Sequence, residues 1–358
     1  MTDLYAITRN AVVEAAGLSV KATLSALTGS RHVLPPTYAD APHRHNMTAP
    51  DDSGRAAWVS LDGPASFANR VEDQLRRAEL GLDPLRIEVA GRTLSTLQLP
   101  HRAFDAILRD ALLDGVAFRK TPIGQAIVRA TPDAASALLK YDPAMLLLGG
   151  WDSTGLGDNK GQERKWPALL SVEIFATNAL PVGRAGGRLD PLGITLDAGP
   201  VIREGDSYRL VPEGEKPPAG AVRPSEINHG NIAPTISLKG VLVDEIQLAG
   251  ALSLSRLRRY RFGGTPEQDI AARTAIALMG IFGVAAVIAD GLDLRRDCEL
   301  VADRVDWSIR ATGRRDPIAV DAQSALAALK QALAQIPLAA PVHFTAGPNL
   351  EQLVARSR

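Results

Sequence analysis

The stretch that most constrains the fold is LSVKATLSAL, residues 18–27, in which apolar and polar side chains alternate. One face carries Leu18, Val20, Ala22, Leu24 and Ala26, and the other carries serines, a threonine and a lysine. A period of two over ten residues is typical of a strand with one buried face. We therefore expect a half-buried strand here.

Two helices with clear start signals accompany this strand. Pro64 suits a first helical turn, and apolar residues recur every four positions from Phe67 to Leu75. Thr265-Pro266-Glu267-Gln268 forms a capping box that opens an apolar helix reaching Ala289. Because this second helix is apolar on nearly all sides, it should be buried.

The remaining patterns predict a mixture of both element types. Helices are expected over 102–114, from Thr131 onward and over 321–334, and strands over 145–148, 169–175, 240–254 and 299–310. This order favours an α+β domain with helices on one side of a mainly antiparallel sheet.

Residues 180–224 differ in composition from the rest of the chain. They contain eight glycines and seven prolines in 45 residues, compared with 55 of 358 in the whole chain. Such a segment cannot form core helices or central strands. Apolar residues are interspersed, so we expect a projecting, hairpin-like insertion.

The overall composition limits the possible partners. Forty basic and forty acidic side chains cancel, which argues against a freestanding nucleic-acid binder unless the charges are segregated. The single cysteine, Cys298, excludes an intrachain disulfide and a cysteine-rich zinc site. The longest apolar run, 275–289, is shorter than the roughly 20 residues of a membrane span. We expect a cytoplasmic protein with no membrane contact.

The segment WDSTGLGDNKGQERKW, residues 151–166, has the chemistry of a phosphate contact. Its glycines let backbone amides approach an anion, and Lys160, Arg164 and Lys165 supply positive charge. Trp166 could stack on a base. A solvated loop held by buried tryptophans is the alternative, and the sequence leaves both open.

A second basic run, from Arg256 to Arg261, contains four arginines in six positions around Tyr260. It predicts either a basic ridge or an ordinary charged helix face. The polar segment PSEINHGN, residues 224–231, combines short polar groups with backbone freedom. Like the segment that starts at Trp151, it is suited to gripping an extended ligand and poorly suited to a core.

Other chemistry is weakly supported. No Walker loop or dinucleotide fingerprint is present, and no cofactor is expected. His43 and His45 lack an evident third metal ligand, so we expect no metal site.

His101 and His229 are candidates for acid–base cleavage of RNA. The acidic neighbours of Cys298 should raise its thiol pKa, which disfavours a thiolate nucleophile.

Several segments in register resemble one known family. They are Gly29-Ser30-Arg31, residues 66–72, 149–153, 171–174, 224–231 and 252–262, and Asp293-Leu294-Arg295. Together they resemble the backbone subunit of the type I-G (formerly I-U) CRISPR Cascade surveillance complex, in the "Cas seven" lineage of the RAMP superfamily. The region after about Asp316 matches no part of that pattern.

The resemblance implies one RAMP domain over residues 1–358. Its palm would be RRM-like or ferredoxin-like, with finger insertions and a thumb β-hairpin at 180–224. Copies would stack head to tail along a CRISPR RNA, together with other Cascade subunits, and the guide would then pair with target DNA. A guide held in this way is gripped by its phosphates, which leaves the base edges free.

We therefore expect a non-catalytic, RNA-binding backbone subunit. The candidate guide contacts are Arg31, Asn69, Arg70, Lys160, Arg164, Lys165, Asn228, His229, Arg256 and Arg258. One alternative is a RAMP-type endoribonuclease that processes CRISPR RNA with His101 or His229 as its base. Another is a metabolic α+β enzyme in which the loop at Trp151 is a lid.

Overall fold

A computed structural model describes residues 3–39, 44–155, 164–195 and 198–357. The helices in these residues are α1 (Leu4–Glu14), α2 (Pro64–Arg77), α3 (Ala106–Arg109), α4 (Pro122–Val128), α5 (Ser136–Tyr141), α6 (Pro143–Leu148), α7 (Leu254–Leu257), α8 (Pro266–Asp290), α9 (Ala322–Leu333) and α10 (Pro348–Arg356).

The strands are similarly distributed along the chain. They are β1 (Gly17–Ala26), β2 (His32–Val33), β3 (Thr37–Tyr38), β4 (Arg44–His45), β5 (Ala56–Asp62), β6 (Leu85–Val89), β7 (Arg92–Ser95), β8 (Ala111–Leu113), β9 (Val116–Ala117), β10 (Gly150–Asp152), β11 (Arg164–Trp166), β12 (Leu170–Arg188), β13 (Val201–Glu204), β14 (Ser207–Leu210), β15 (Ile232–Leu242), β16 (Glu245–Ser253), β17 (Leu292–Arg295), β18 (Cys298–Ala311), β19 (Arg314–Ile318) and β20 (Val342–Ala346).

The main sheet is antiparallel, and β1 lies in its interior between β18 and β16. Its order is β17-β18-β1-β16-β12-β15-β2, with β19 beside β18 and β5 beside β12. The predicted alternation in β1 is confirmed, because Leu18, Val20, Ala22 and Leu24 are buried while Lys21 and Thr23 are exposed. The chain is therefore α+β, as expected from the order of its elements.

Helix α8 forms the centre of the core against this sheet. The capping box at Thr265 is present, and every residue from Ala272 to Val287 is buried. A Cβ added at Gly280 would lie 3.1 Å from the Leu147 side chain of α6, and one at Gly283 would lie 2.5 Å from the Val71 side chain of α2. These glycines let the helix approach its neighbours closely. The length and apolar character of α8 are thus explained by burial within the protein.

A second sheet is built from distant parts of the chain, in the order β7-β6-β20-β8-β9. Strand β20 pairs in parallel with β6 and antiparallel with β8. Phe344 of β20 is fully buried and packs edge-on against Phe118, with ring centroids 5.6 Å apart. The sequence pattern did not predict this sheet.

The glycine- and proline-rich insertion is an extended ribbon. Strands β12 and β15 pair from Leu180 with Leu242 to Arg188 with Ile232, and the hairpin β13–β14 lies between them in the chain. The expected range of 180–224 covers one arm and this hairpin. The second arm, β15, lies beyond the expected range. The glycines and prolines of the ribbon are tolerated because edge strands accept these residues where a central strand would not.

Three predicted elements are wrong. A single helix over 102–114 does not form: Asp105 caps the short α3, and β8 pairs with β20 at Leu112. Residues 145–148 belong to helix α6, which Asp142 caps and Pro143 opens. Residues 131–134 form an isolated bridge and no helix. In the first two cases a cap or a distant strand decided a short segment whose apolar pattern was ambiguous; in the third, the helix α5 begins only at Ser136.

Two other boundaries differ from the prediction. The expected strand over 240–254 is interrupted, since β15 ends at Leu242 and β16 begins at Glu245. Strand β18 and helix α9 confirm the predictions over 299–310 and 321–334, and Asp321 caps α9 by accepting from the Ser324 amide.

Candidate nucleic-acid interface

The hairpin β10–β11 presents part of the segment at Trp151. Trp151 lies directly opposite Lys165, and opposed residues of an antiparallel pair share one face. The Nζ atom of Lys165 lies 5.5 Å from the centroid of the Trp151 ring. His101 contacts the same ring at 5.6 Å with an interplanar angle of 87°. Trp151 is 38% exposed, so this cation–aromatic cluster faces outward.

A buried aspartate anchors the first strand of this hairpin. Asp152 accepts hydrogen bonds from the Thr154 amide and hydroxyl, at 3.0 and 2.8 Å, and from Arg119 Nη2 at 2.7 Å. Burial alone would raise the pKa of Asp152, but the hydrogen bonds from Arg119 and Thr154 outweigh it and the pKa is lowered. Arg119 also donates to the carbonyl of Gly155. The aspartate is therefore charged and held in place.

A second arginine holds the start of the hairpin. Arg102 is 5% exposed, and its Nη1 donates to the Gly149 carbonyl at 2.8 Å. Its Nε lies 2.8 Å from Glu72 Oε1 of α2 in a buried ion pair. Gly149 has φ +82°, and a Cβ there would lie 2.6 Å from the Trp166 carbonyl oxygen. Only glycine fits this position without strain.

The buried carboxylates around Arg102 resist ionisation. Burial raises the pKa of Glu72 to about 7, and Arg102 opposes this while the charge of Asp142 adds to it. Burial likewise raises the pKa of Asp142 to about 6. Asp142 accepts from the backbone amides of Ala103 and Met145 at 2.8 and 3.2 Å. This network connects α2 to the base of the hairpin.

The two basic segments meet around one pocket of about 370 Å³, which we call the cation pocket. Its lining includes four cations and two aromatic rings, Arg164, Lys165, Arg256, Arg259, Trp166 and Tyr260, beside four small or proline residues at 130–132 and 167. Among the residues that the structure describes, no aspartate or glutamate lines it. The potential inside it is therefore positive, although the whole chain is neutral.

The cation pocket has an aromatic floor. Trp166 and Tyr260 pack edge to face at 5.3 Å and are only 7% and 2% exposed. The suggestion that Trp166 stacks on a base is therefore wrong, because the ring is covered by protein. Burial raises the pKa of Tyr260, while Arg256 and Arg259 oppose it. The Tyr260 hydroxyl has no hydrogen-bond partner in the described part of the chain.

The cations of the pocket differ in their freedom to move. Arg164 donates to the carbonyl of Val128, and Arg256 donates to the carbonyl of Ala168 at 2.5 Å. Arg259 is exposed at the rim. Arg259 was not among the expected contacts, although its spacing of three from Arg256 on a helical turn could have indicated it.

Arg258 has a different environment from its neighbours. Its Nη1 donates to the carbonyls of Ala15 at 2.5 Å and Val12 at 3.5 Å, at the end of α1. A cation is stabilising at a helix C-terminus, where carbonyls lack partners. The predicted ridge is thus divided: Arg256 and Arg259 line the pocket, and Arg258 closes a helix.

The other expected contacts lie elsewhere. Arg31 donates to the Val243 carbonyl at 2.8 Å and pairs with Asp244 beside the ribbon. Asn228 adopts a left-handed conformation with φ 65°. His229 is largely exposed, and its Nδ1 lies 3.9 Å from Asp190. These three residues belong to the insertion and its base.

Asn69 and Arg70 lie in a depression that also contains carboxylates. Arg70 pairs with Asp62 at 3.0 Å and donates to the Asp293 carbonyl at 2.9 Å. Asp73 and Asp290 line the same depression. These negative charges disfavour a phosphate at this place.

Three further groups of candidates are Lys160, the possible metal ligands and Cys298. Lys160 and His43 lie outside the described residues. Within the described ranges, no cluster of three or more potential metal ligands is found. Burial raises the pKa of the Cys298 thiol to about 11. The expected direction is correct, but burial outweighs the neighbouring charges as its cause.

A protein-family model matches part of this chain. Residues 18–181 match the family model of the CRISPR-associated protein GSU0053. The match covers 164 of the 358 residues, so the chain is similar to a CRISPR-associated protein family over somewhat less than half of its length. No match is found among curated proteins. The match confirms the CRISPR-associated resemblance and includes the β10–β11 hairpin with Arg164 and Lys165. The other half of the cation pocket, at Arg256 and Arg259, lies beyond the matched residues.

Proposed function

We propose that this protein is a non-catalytic backbone subunit that binds CRISPR RNA in a type I-G surveillance complex in the cytoplasm. The observation that carries the proposal is the cation pocket. Two basic segments about 90 residues apart in the chain, at Arg164 and Arg256, converge on one concave surface. An RNA phosphate is the natural ligand of such a surface in a protein that acts in CRISPR defence.

The pocket also resolves the objection from net charge. Forty acidic side chains balance forty basic ones, but none of the described acids lines this surface. Each subunit needs to neutralise only a few phosphates, because many copies act on one strand and their contributions combine. Because the whole chain is neutral and these cations lie in the pocket, the rest of the chain carries a net negative charge, which limits unspecific binding.

The antiparallel main sheet, with α8 and α2 on one side, is our candidate for an RRM-like palm. The ribbon formed by β12 and β15 is the candidate thumb. Its region carries exposed apolar side chains, with Leu189 at 88%, Leu192 at 82% and Ile236 at 80% exposure. In our proposal a further copy of the chain covers them in a head-to-tail filament along the guide. Target DNA then pairs with the guide, and other Cascade subunits complete the complex.

A charge-neutralising series tests the RNA contact. R259Q removes one exposed cation of the pocket, and R92Q removes an exposed arginine of the five-stranded sheet as a matched control. Affinity is measured for two RNAs of unrelated sequence at several salt concentrations. R259Q should weaken the binding of both RNAs equally. It should also reduce the slope of log affinity against log salt concentration by roughly 0.7 for each lost contact. R92Q should behave as the wild type.

Two outcomes would contradict the proposal. R259Q could weaken the binding of only one of the two RNA sequences, which would indicate base readout, or R92Q could weaken binding as much as R259Q.

The non-catalytic part is tested separately by incubating the protein with labelled precursor RNA without divalent metal. Specific cleavage that is lost in H229A or H101A would favour the endoribonuclease instead.

A further inference from the structure

Trp151 is an exposed aromatic ring in a chain with few of them. Aromatic residues make up only 4% of the sequence. Trp166 and Trp307 are each 7% exposed, whereas Trp151 is 38% exposed. Trp151 is thus less buried than these two rings, and part of its surface is accessible to a ligand.

The backbone on both sides of Trp151 is fixed. Arg102 holds the carbonyl of Gly149, and Arg119 holds the side chain of Asp152. Both contacts come from arginines that are at least partly buried. A ring presented on such a rigid support loses little conformational freedom when it binds a ligand.

The ring is continuous with the cation pocket. Lys165 stands opposite Trp151 in the hairpin register, lies over its ring and also lines the pocket. Because Lys165 lies over one face of the ring, a ligand stacked on the ring lies next to a positive charge. One nucleotide of a single strand has this character, with a flat base attached to an anionic phosphate.

We propose that Trp151 is a stacking platform for one unpaired base of the strand whose phosphates bind in the cation pocket. The proposal rests on the RNA-binding function proposed above and adds a contact to a base ring. Every base has a π face, so such stacking tolerates any sequence. Lys165, which lies over the ring and also lines the cation pocket, is then close to both the stacked base and the bound phosphate.

The test compares an RNA oligonucleotide with an abasic ribose-phosphate strand of equal length. W151A should weaken binding of the base-containing RNA about tenfold and leave the abasic strand unchanged. W151F, which keeps a ring, should recover most of the affinity. R259Q should weaken both strands equally. Intrinsic fluorescence gives a second reading, since the base-containing RNA should quench the wild type more than W151F.

The outcomes separate this inference from the proposed function. If R259Q weakens binding but W151A has no effect, or affects both strands equally, the stacking platform is refuted and RNA binding stands. If the wild type binds neither strand, both ideas fail. Should W151A not fold, the comparison of wild type and W151F by fluorescence decides: equal quenching refutes the platform.

Discussion

The buried pair of Glu72 and Arg102 makes stability dependent on pH in a defined direction. Glu72 is 4% exposed on α2, and its Oε1 lies 2.8 Å from Arg102 Nε. Burial raises its pKa from an ordinary 4.5 to about 7, more than Arg102 lowers it. E72Q replaces the carboxyl with a neutral amide of similar shape, so the variant lacks this titration.

The size of the effect follows from linkage. A rise from 4.5 to about 7 corresponds to about 3 kcal/mol, at about 1.4 kcal/mol per pH unit. The folded state holds the proton more tightly than the unfolded state. The stabilising contribution is therefore complete below about pH 4.5 and is lost as the pH rises through about 7. Asp142 is present in both proteins, so its own titration largely cancels.

Urea unfolding of wild type and E72Q at several pH values between about 4.5 and 8 measures this directly. The free energy of unfolding of the wild type, relative to E72Q, should fall by about 3 kcal/mol across that range. E88Q, at an exposed glutamate, is the control and should show a much smaller change. A relative stability that rises with pH would refute the reasoning, because it would mean that Arg102 keeps Glu72 ionised.

Two further predictions concern the hairpin and the ribbon. Gly149 has φ +82°, and the Cβ added by G149A would lie 2.6 Å from the Trp166 carbonyl oxygen. G149A should therefore lower the free energy of unfolding by about 1–3 kcal/mol and weaken RNA binding. G186A, with open space around its Cβ, should change stability by less than about 0.5 kcal/mol; equal losses would contradict the strain argument. L189S with L192S should leave monomer stability within about 0.5 kcal/mol, because both side chains are over 80% exposed, and should reduce RNA-dependent self-association in sedimentation. Unchanged assembly would show that another surface joins the copies.

Long periodic segments and strong caps were predictable from the sequence. The alternation in β1, the four-residue spacing in α2 and the capping box at Thr265 each dictate one element by local chemistry. Short apolar segments were not predictable. Residues 145–148 contain too few positions to distinguish a period of two from one of 3.6, and the cap at Asp142 decided for a helix.

The candidate site was predictable in its parts but not in its assembly. Arg164 and Lys165 were expected as contacts from charge and glycine content, and Arg256 from the basic run 256–261, which is part of the family resemblance. Their convergence depends on sheet register, which sets where β11 lies relative to the segment after β16. Sequence could also not separate Arg258 from Arg259, because the distinction depends on the helix end at Ala15 that one of them contacts.

The position of β20 has a consequence for how the chain acquires its structure during translation. This strand sits between β6 and β8, and Val342 pairs with Leu85. The strands on either side are synthesised long before it, and they remain separated until residues 342–346 leave the ribosome. Until then the edges of β6 and β8 are open to pairing with other chains. A nascent chain of this protein therefore carries an unfilled gap in its second sheet through most of its synthesis, which makes that interval the one in which a chaperone would be of greatest use.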